Sequence, residues 1–87
     1  MNSELQARIA ILTALNTAAP FGLSREVLLQ DVSIRRKDIP RDVYPRAIDV
    51  LLANGFITVR RHDLDKAQFI YAISDAGIRS LEAEGLA

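Results

Sequence analysis

Seven basic residues, Arg35, Arg36, Lys37, Arg41, Arg46, Arg60 and Arg61, lie between positions 35 and 62. Three carboxylates share that stretch, Asp38, Asp42 and Asp49, leaving a local excess of four positive charges. Guanidinium and ammonium groups in such number suit phosphate, each contact positioning a protein on nucleic acid without reading its sequence. Arg46 has a second capability, since a guanidinium can donate two parallel hydrogen bonds to guanine, worth about 1–3 kcal/mol of discrimination. Other reactive side chains are sparse. His62 is the single histidine and has no evident triad or metal partners, and Asp63 and Asp65 form an Asp-x-Asp that reads as a solvated turn. No glycine-rich phosphate loop, His-Glu-x-x-His motif or nucleophile–base pair occurs. Without cysteine, neither a disulfide nor a thiolate metal site is available. The expectation is a non-enzyme that uses no metal and no cofactor.

The stretch Asp42 to Ile57 must position these charges. Tyr44, Ile48 and Leu51 recur at i, i+4 and i+7, the spacing of one buried helix face. Asn54-Gly55 supplies a helix stop, because glycine takes the left-handed conformation without a steric penalty. Strand formers, Phe56 to Val59, follow at once. On the opposite side of the helix fall Asp42, Arg46, Asp49 and Ala53. Arg46 therefore has a carboxylate at i−4 and at i+3, spacings that predict intrahelical ion pairs worth a few tenths of a kcal/mol each. The same carboxylates repel phosphate.

The remaining elements follow from capping and periodicity. Ser3 and Gln6 form a capping-box pattern before a first helix over about 4–17, with Leu5, Ile9, Leu12 and Leu15 as its stripe, widened by Ile11. Pro20 and Gly22 end it, and Leu23 is a short extended residue. Ser24 caps a second helix running to about Val32, with Val27, Leu28 and Val32 inward. A polar connector, 33–40, is pinned by Ile34 and Ile39. Asp42 caps the third helix, and Pro45 sits in its first turn, where a missing N–H costs nothing. Strands over 56–61 and 68–73 form a hairpin around the polar turn 62–67, with Phe69, Tyr71 and Ile73 on one face. Ser74 caps a last helix that carries Ile78 and Leu81 inward and frays at Gly85.

Three helices, a two-stranded hairpin wing and a short final helix give an α+β, mainly α chain whose order resembles a winged helix-turn-helix domain. The resemblance extends to residues: Leu51, Gly55, Phe56 and Ile57 after the third helix, then Tyr71, Ile73, Ser74, Gly77 and Leu81 after the wing. It is similar to the MarR-, PadR- and ArsR-type regulators, and small phage-encoded proteins look similar at this length. The resemblance covers about residues 4–82. It implies a third helix, 42–54, that enters the DNA major groove and a wing that touches the backbone or minor groove. Carried over, Arg41, Pro45, Arg46 and Asp49 are the recognition-helix contacts. Arg35, Arg36, Lys37, Arg60, Arg61 and Lys66 are the backbone and wing contacts. One departure stands out. The connector is about eight residues, against the three or four of the standard motif.

The totals bound this reading. Eighty-seven residues make one domain, 1–87, of ordinary globular composition. No apolar run approaches the roughly 18 residues of a membrane helix, and Met1 to Arg8 lacks the pattern of a secretory leader, so a cytoplasmic protein without a membrane partner is expected. Formal net charge is zero, where nucleic-acid-binding domains are usually basic. Two functions therefore stay open: a transcriptional regulator binding double-stranded DNA, and a winged-helix module that binds another protein and no DNA. A homodimer would supply the second half-site that one small module lacks. Leu86 and the exposed part of the first helix are its candidate interfaces.

Overall fold

The computed structural model describes residues 2–86. Its first helix, α1 (Ser3–Ala18), is capped by Asn2, whose Oδ1 accepts from the Leu5 N–H at 3.1 Å. The expected Ser3–Gln6 capping box is therefore replaced by a cap one residue earlier. The apolar stripe is also rotated from the expected one. Ala7, Ala10, Ile11, Leu12, Ala14 and Leu15 are buried, whereas Leu5 is 41% exposed. The alanines carry the difference, since short side chains let neighbouring elements approach a central helix at no cost in rotamer entropy. α1 packs against every helix that follows.

Gly22, at φ +83°, brings the chain so close to the Tyr71 carbonyl that a Cβ would clash with backbone. This approach seats β1 (Leu23–Ser24) beside a later strand, with Leu23 opposite Tyr71 and Ser24 opposite Ile70. The expected two-stranded hairpin is thus a three-stranded antiparallel sheet. Two residues are too few to display a strand period. Ser24 then caps α2 (Arg25–Arg35), its Oγ accepting from the Val27 N–H at 3.3 Å. α2 runs three residues past its expected end. Leu28 and Val32 are buried as expected, but Val27 and Ile34 face outward, Ile34 being 71% exposed. Ile39 alone pins the connector.

α3 (Val43–Ala53) buries Tyr44, Ala47, Ile48 and Leu51. Asp42 precedes it in helical conformation and makes no side-chain cap, because a capping side chain needs the extended backbone that Asp42 lacks. The turn is closed by backbone instead, Val43 N–H to the Pro40 carbonyl at 3.1 Å and Tyr44 N–H to the Arg41 carbonyl at 3.4 Å. At the far end Gly55 takes φ +74°, Phe56 N–H donates to Leu51 and Gly55 N–H to Leu52. This double closure is the Schellman motif.

β2 (Ile57–Arg61) pairs with β3 (Phe69–Ile73), and the sheet order is β1-β3-β2. α4 (Asp75–Ala83) follows. Ser74 ties these pieces together. Its Oγ accepts from the Gly77 N–H at 3.2 Å and donates to the Gly55 carbonyl at 2.6 Å, while its N–H donates to the Phe56 carbonyl at 3.1 Å. α4 does not fray at Gly85. Leu86 N–H donates to Leu81 and Gly85 N–H to Glu82, both at 2.9 Å, a second Schellman closure.

Gly77 lies where α4 presses on the α3–β2 joint, and a Cβ there would meet the Phe56 carbonyl and the Ile73 side chain. Gly77→Ala is therefore expected to destabilise the protein by about 1–3 kcal/mol, the usual range for overpacking. Urea unfolding of the variant measures it, and an unchanged midpoint would contradict this packing.

Candidate nucleic-acid interface

The outward face of α3 carries Asp42, Arg46, Asp49 and Ala53, all exposed. Arg46 does not form the expected pairs with the two aspartates. Its nearest carboxylate is Glu4 at the start of α1, Nη1 to Oε1 at 3.8 Å, with the Arg46 side chain 79% exposed. At that distance and exposure the pair contributes little, about 0–1 kcal/mol. Arg46 is consequently available to a ligand, though two exposed aspartates accompany it. Pro45 is half-buried on the flank of the same helix.

The connector, 36–42, behaves as a built element. Arg36 donates twice to Asp38, Nε to Oδ1 at 3.0 Å and Nη2 to Oδ2 at 2.8 Å, and Nη1 donates to Gln6 Oε1 at 2.7 Å. That bidentate fork uses the donors a phosphate would need. Hydrogen bonds from Arg36, then from backbone, hold the Asp38 carboxyl below the usual carboxylate range. The Arg36 guanidinium is raised in turn by its hydrogen bond to Asp38. Arg35, as the last residue of α2, pairs with Asp31 at 2.8 Å. Lys37 and Arg41 have no ion-pair partner among the described residues and share a groove of about 480 Å³ with Gln30, Ile34 and Ile39.

Tyr44 fastens this connector to α3. Its hydroxyl lies 3.3 Å from the Val32 carbonyl and 3.3 Å from the Arg36 carbonyl, donating across the end of α2. Burial raises the phenol above its ordinary value, so it stays a donor.

The wing projects beyond the core, only Ile57 of β2 being buried. Arg61 sits over the Phe69 ring, 5.4 Å from its centroid, and Nη1 donates to the Lys66 carbonyl at 3.0 Å. Arg60 points to the other side of the sheet, as strand alternation requires, and its one contact is a long 3.5 Å bond to the Arg61 carbonyl. Lys66 is exposed near the turn. The turn is ordered by side chains. His62 Nδ1 accepts from the N–H groups of Leu64 and Asp65 at 3.0 and 3.2 Å, and Asp65 Oδ1 accepts from Ala67 at 3.1 Å. Among the described residues no three metal-ligating side chains gather, and no helix is long and apolar enough to cross a membrane.

Sequence reasoning missed Arg25. It is the first residue of α2 and donates from Nη1 to the Tyr71 hydroxyl at 3.1 Å, beside the base of the wing. The available signal was its position, since a cation at the positive end of a helix dipole needs an outside reason to be there.

With its element order, its sheet closed by β1 and its overhanging hairpin, this chain is a winged-helix protein. It is similar to the PcaV transcriptional regulator from Streptomyces coelicolor, solved in complex with its natural ligand. The TM-score is 0.73 at 23% identity, over 91% of this chain and 51% of that one. The chain thus spans about half the length of that structure. No protein-family model matches the chain, and the search of curated proteins finds no match.

The Arg36–Asp38 pair makes an acid-sensitive prediction. A lowered carboxyl contributes stability that is present above the ordinary carboxylate value, about 4, and is lost as pH falls through the lowered one. Asp38→Asn should therefore unfold at lower urea than the native protein at neutral pH. That gap should narrow as the pH falls below the ordinary carboxylate range; a gap of equal size at neutral and acid pH would exclude the pair as its source.

Proposed function

We propose that this protein binds double-stranded DNA through α3 and acts as a transcriptional regulator. The observation that carries the reading is the set of available cations in the connector and first turns of α3: Lys37 and Arg41, which have no ion-pair partner among the described residues, and Arg46, held only by a long, exposed pair with Glu4. Arg46 is the base-reading residue, with Asp49 one turn further along to accept from a cytosine amino group. Arg41 enters beside them, and Pro45 lines the flank. Lys37, Arg60 and Lys66 grip phosphate. Arg35, Arg36 and Arg61 support the surface from within their own hydrogen bonds and leave the contact list. PcaV, a transcriptional regulator, supports the same use of the fold. The reading makes the protein a non-enzyme of the cytoplasm.

A protein-binding role is the second reading, favoured by one observation. Asp42 and Asp49 outnumber Arg46 on the exposed face of α3, and carboxylates there repel phosphate.

Titration of a random duplex at low and moderate salt separates the two. Three phosphate contacts predict a log–log salt slope of about −2.7, and non-specific Kd values between about 10⁻⁴ and 10⁻⁶ M. Arg46→Ala should flatten the preference among duplex sequences while leaving that slope nearly unchanged. Affinity weaker than about 10⁻⁴ M at both salts would assign the fold to a protein partner.

A further inference from the structure

The turn of the wing carries Leu64 at its apex, 93% exposed and bracketed by Asp63 and Asp65. A side chain so placed contributes nothing to the core. Yet the backbone under it is held by three side-chain bonds, two to His62 Nδ1 and one to Asp65. The leucine is therefore presented by an ordered turn, and an ordered turn gives up little conformational freedom when it docks. Its two acidic neighbours make it a poor visitor to DNA.

A few residues further along, the same wing forms one wall of a groove against the start of α2. This groove, about 420 Å³, is lined by Leu29, Ala67 and Phe69, with Arg25 and Glu26 at its α2 side. Phe69 is 43% exposed although it stands on the core-facing side of β3. Arg61 lies over its ring. The groove thus offers an apolar floor with two guanidinium groups at its edge, against one carboxylate. The projecting Asp-Leu-Asp has the reverse arrangement, one apolar side chain between two carboxylates.

We propose that the occupant of this groove is the wing tip of a second copy of this chain. Leu64 of each copy fills the Leu29–Phe69 floor of the other, and Asp63 meets Arg25. Knob and groove lie on the same hairpin, so the exchange is reciprocal and closes on a two-fold axis. A knob and groove on opposite sides of the molecule would instead have propagated a fibre. The interface is small, an apolar anchor inside a charged rim, which makes it a weak and reversible association. Asp65 keeps its bond to Ala67, leaving Asp63 as the free carboxylate.

The assembly forms without DNA and is tested without it. Sedimentation equilibrium of the full chain, from about 10 µM to about 1 mM, spans the range of a small interface. The expected result is a monomer–dimer equilibrium with no higher species. Leu64→Asp should weaken it at least tenfold, and Leu64→Ala less. Leu64 is in solvent, so the melting curves of both Leu64 variants should match the native protein. Arg25→Asp should weaken the dimer, and Arg25→Asp combined with Asp63→Arg should recover most of the loss. A monomer throughout the range, a dimer indifferent to Leu64→Asp, or a double variant no tighter than Arg25→Asp would each overturn the proposal.

Discussion

The placement of α3 depends on the hydroxyl of Tyr44. In a tight helix-turn-helix, three or four residues fix one helix against the next. Here seven residues, 36–42, separate α2 from α3, long enough to let the second helix wander. Tyr44 removes that freedom by donating across to the Val32 and Arg36 carbonyls at the end of α2. The ring is buried in the main core while its hydroxyl bridges two carbonyls at the helix end that also accept backbone N–H groups, Val32 from Arg36 and Arg36 from Ile39. Arg36 then clamps Asp38 and reaches back to Gln6 on α1. A side-chain network thus does for the long connector what brevity does for the short one.

That network also sorts the charges. Sequence distance made Arg35, Arg36 and Lys37 look like one basic patch, but their roles diverge completely. Arg35 is spent on Asp31, Arg36 on Asp38 and Gln6, and Lys37 remains for solvent or a ligand. The same happens on the wing. Arg61 lies on Phe69 and stiffens the turn, and Arg60 is directed elsewhere. Arg35, Arg36 and Arg61, three of the eight candidate cations, are thus held in structural contacts. This explains how a chain of zero net charge can hold a local cationic run without a strongly positive face.

What could be read from sequence was whatever a period or a stop encodes. The Tyr44–Ile48–Leu51 face, the Gly55 stop and the Ser24 and Ser74 caps depend on neighbours within one turn, and they appear as expected. The failures involve partners far apart in the chain. β1 exists because Gly22 can approach Tyr71. Leu5 turns outward while Ala7, Ala10 and Ala14 supply the packed side of α1, and on α2 Leu28 and Val32 are buried while Val27 is exposed. Arg46 finds Glu4 and not its helical neighbours, and Asp42 has no cap to offer once its backbone is helical. No local pattern carries these facts, since each is set by which surfaces meet.

The distribution of apolar exposure points the same way. Exposed apolar side chains are spread over the turn after α1 (Phe21), the outer side of α2 (Val27, Ile34) and the wing (Val59, Leu64, Phe69), with Leu64 the most exposed of them. A wing whose sole task was to lie on phosphate would gain from cations at its tip, and this one has Asp63, Leu64 and Asp65 there. Its cations flank that apex: Lys66 follows it in the turn, and Arg61 closes the last rung of the hairpin over Phe69. The apex itself is therefore acidic and apolar, with the cations beside it. On the proposed reading, α3 with Lys37 and Arg41 ahead of it faces DNA together with Arg60 and Lys66, and the 63–65 apex is the part of the wing free to take a different partner.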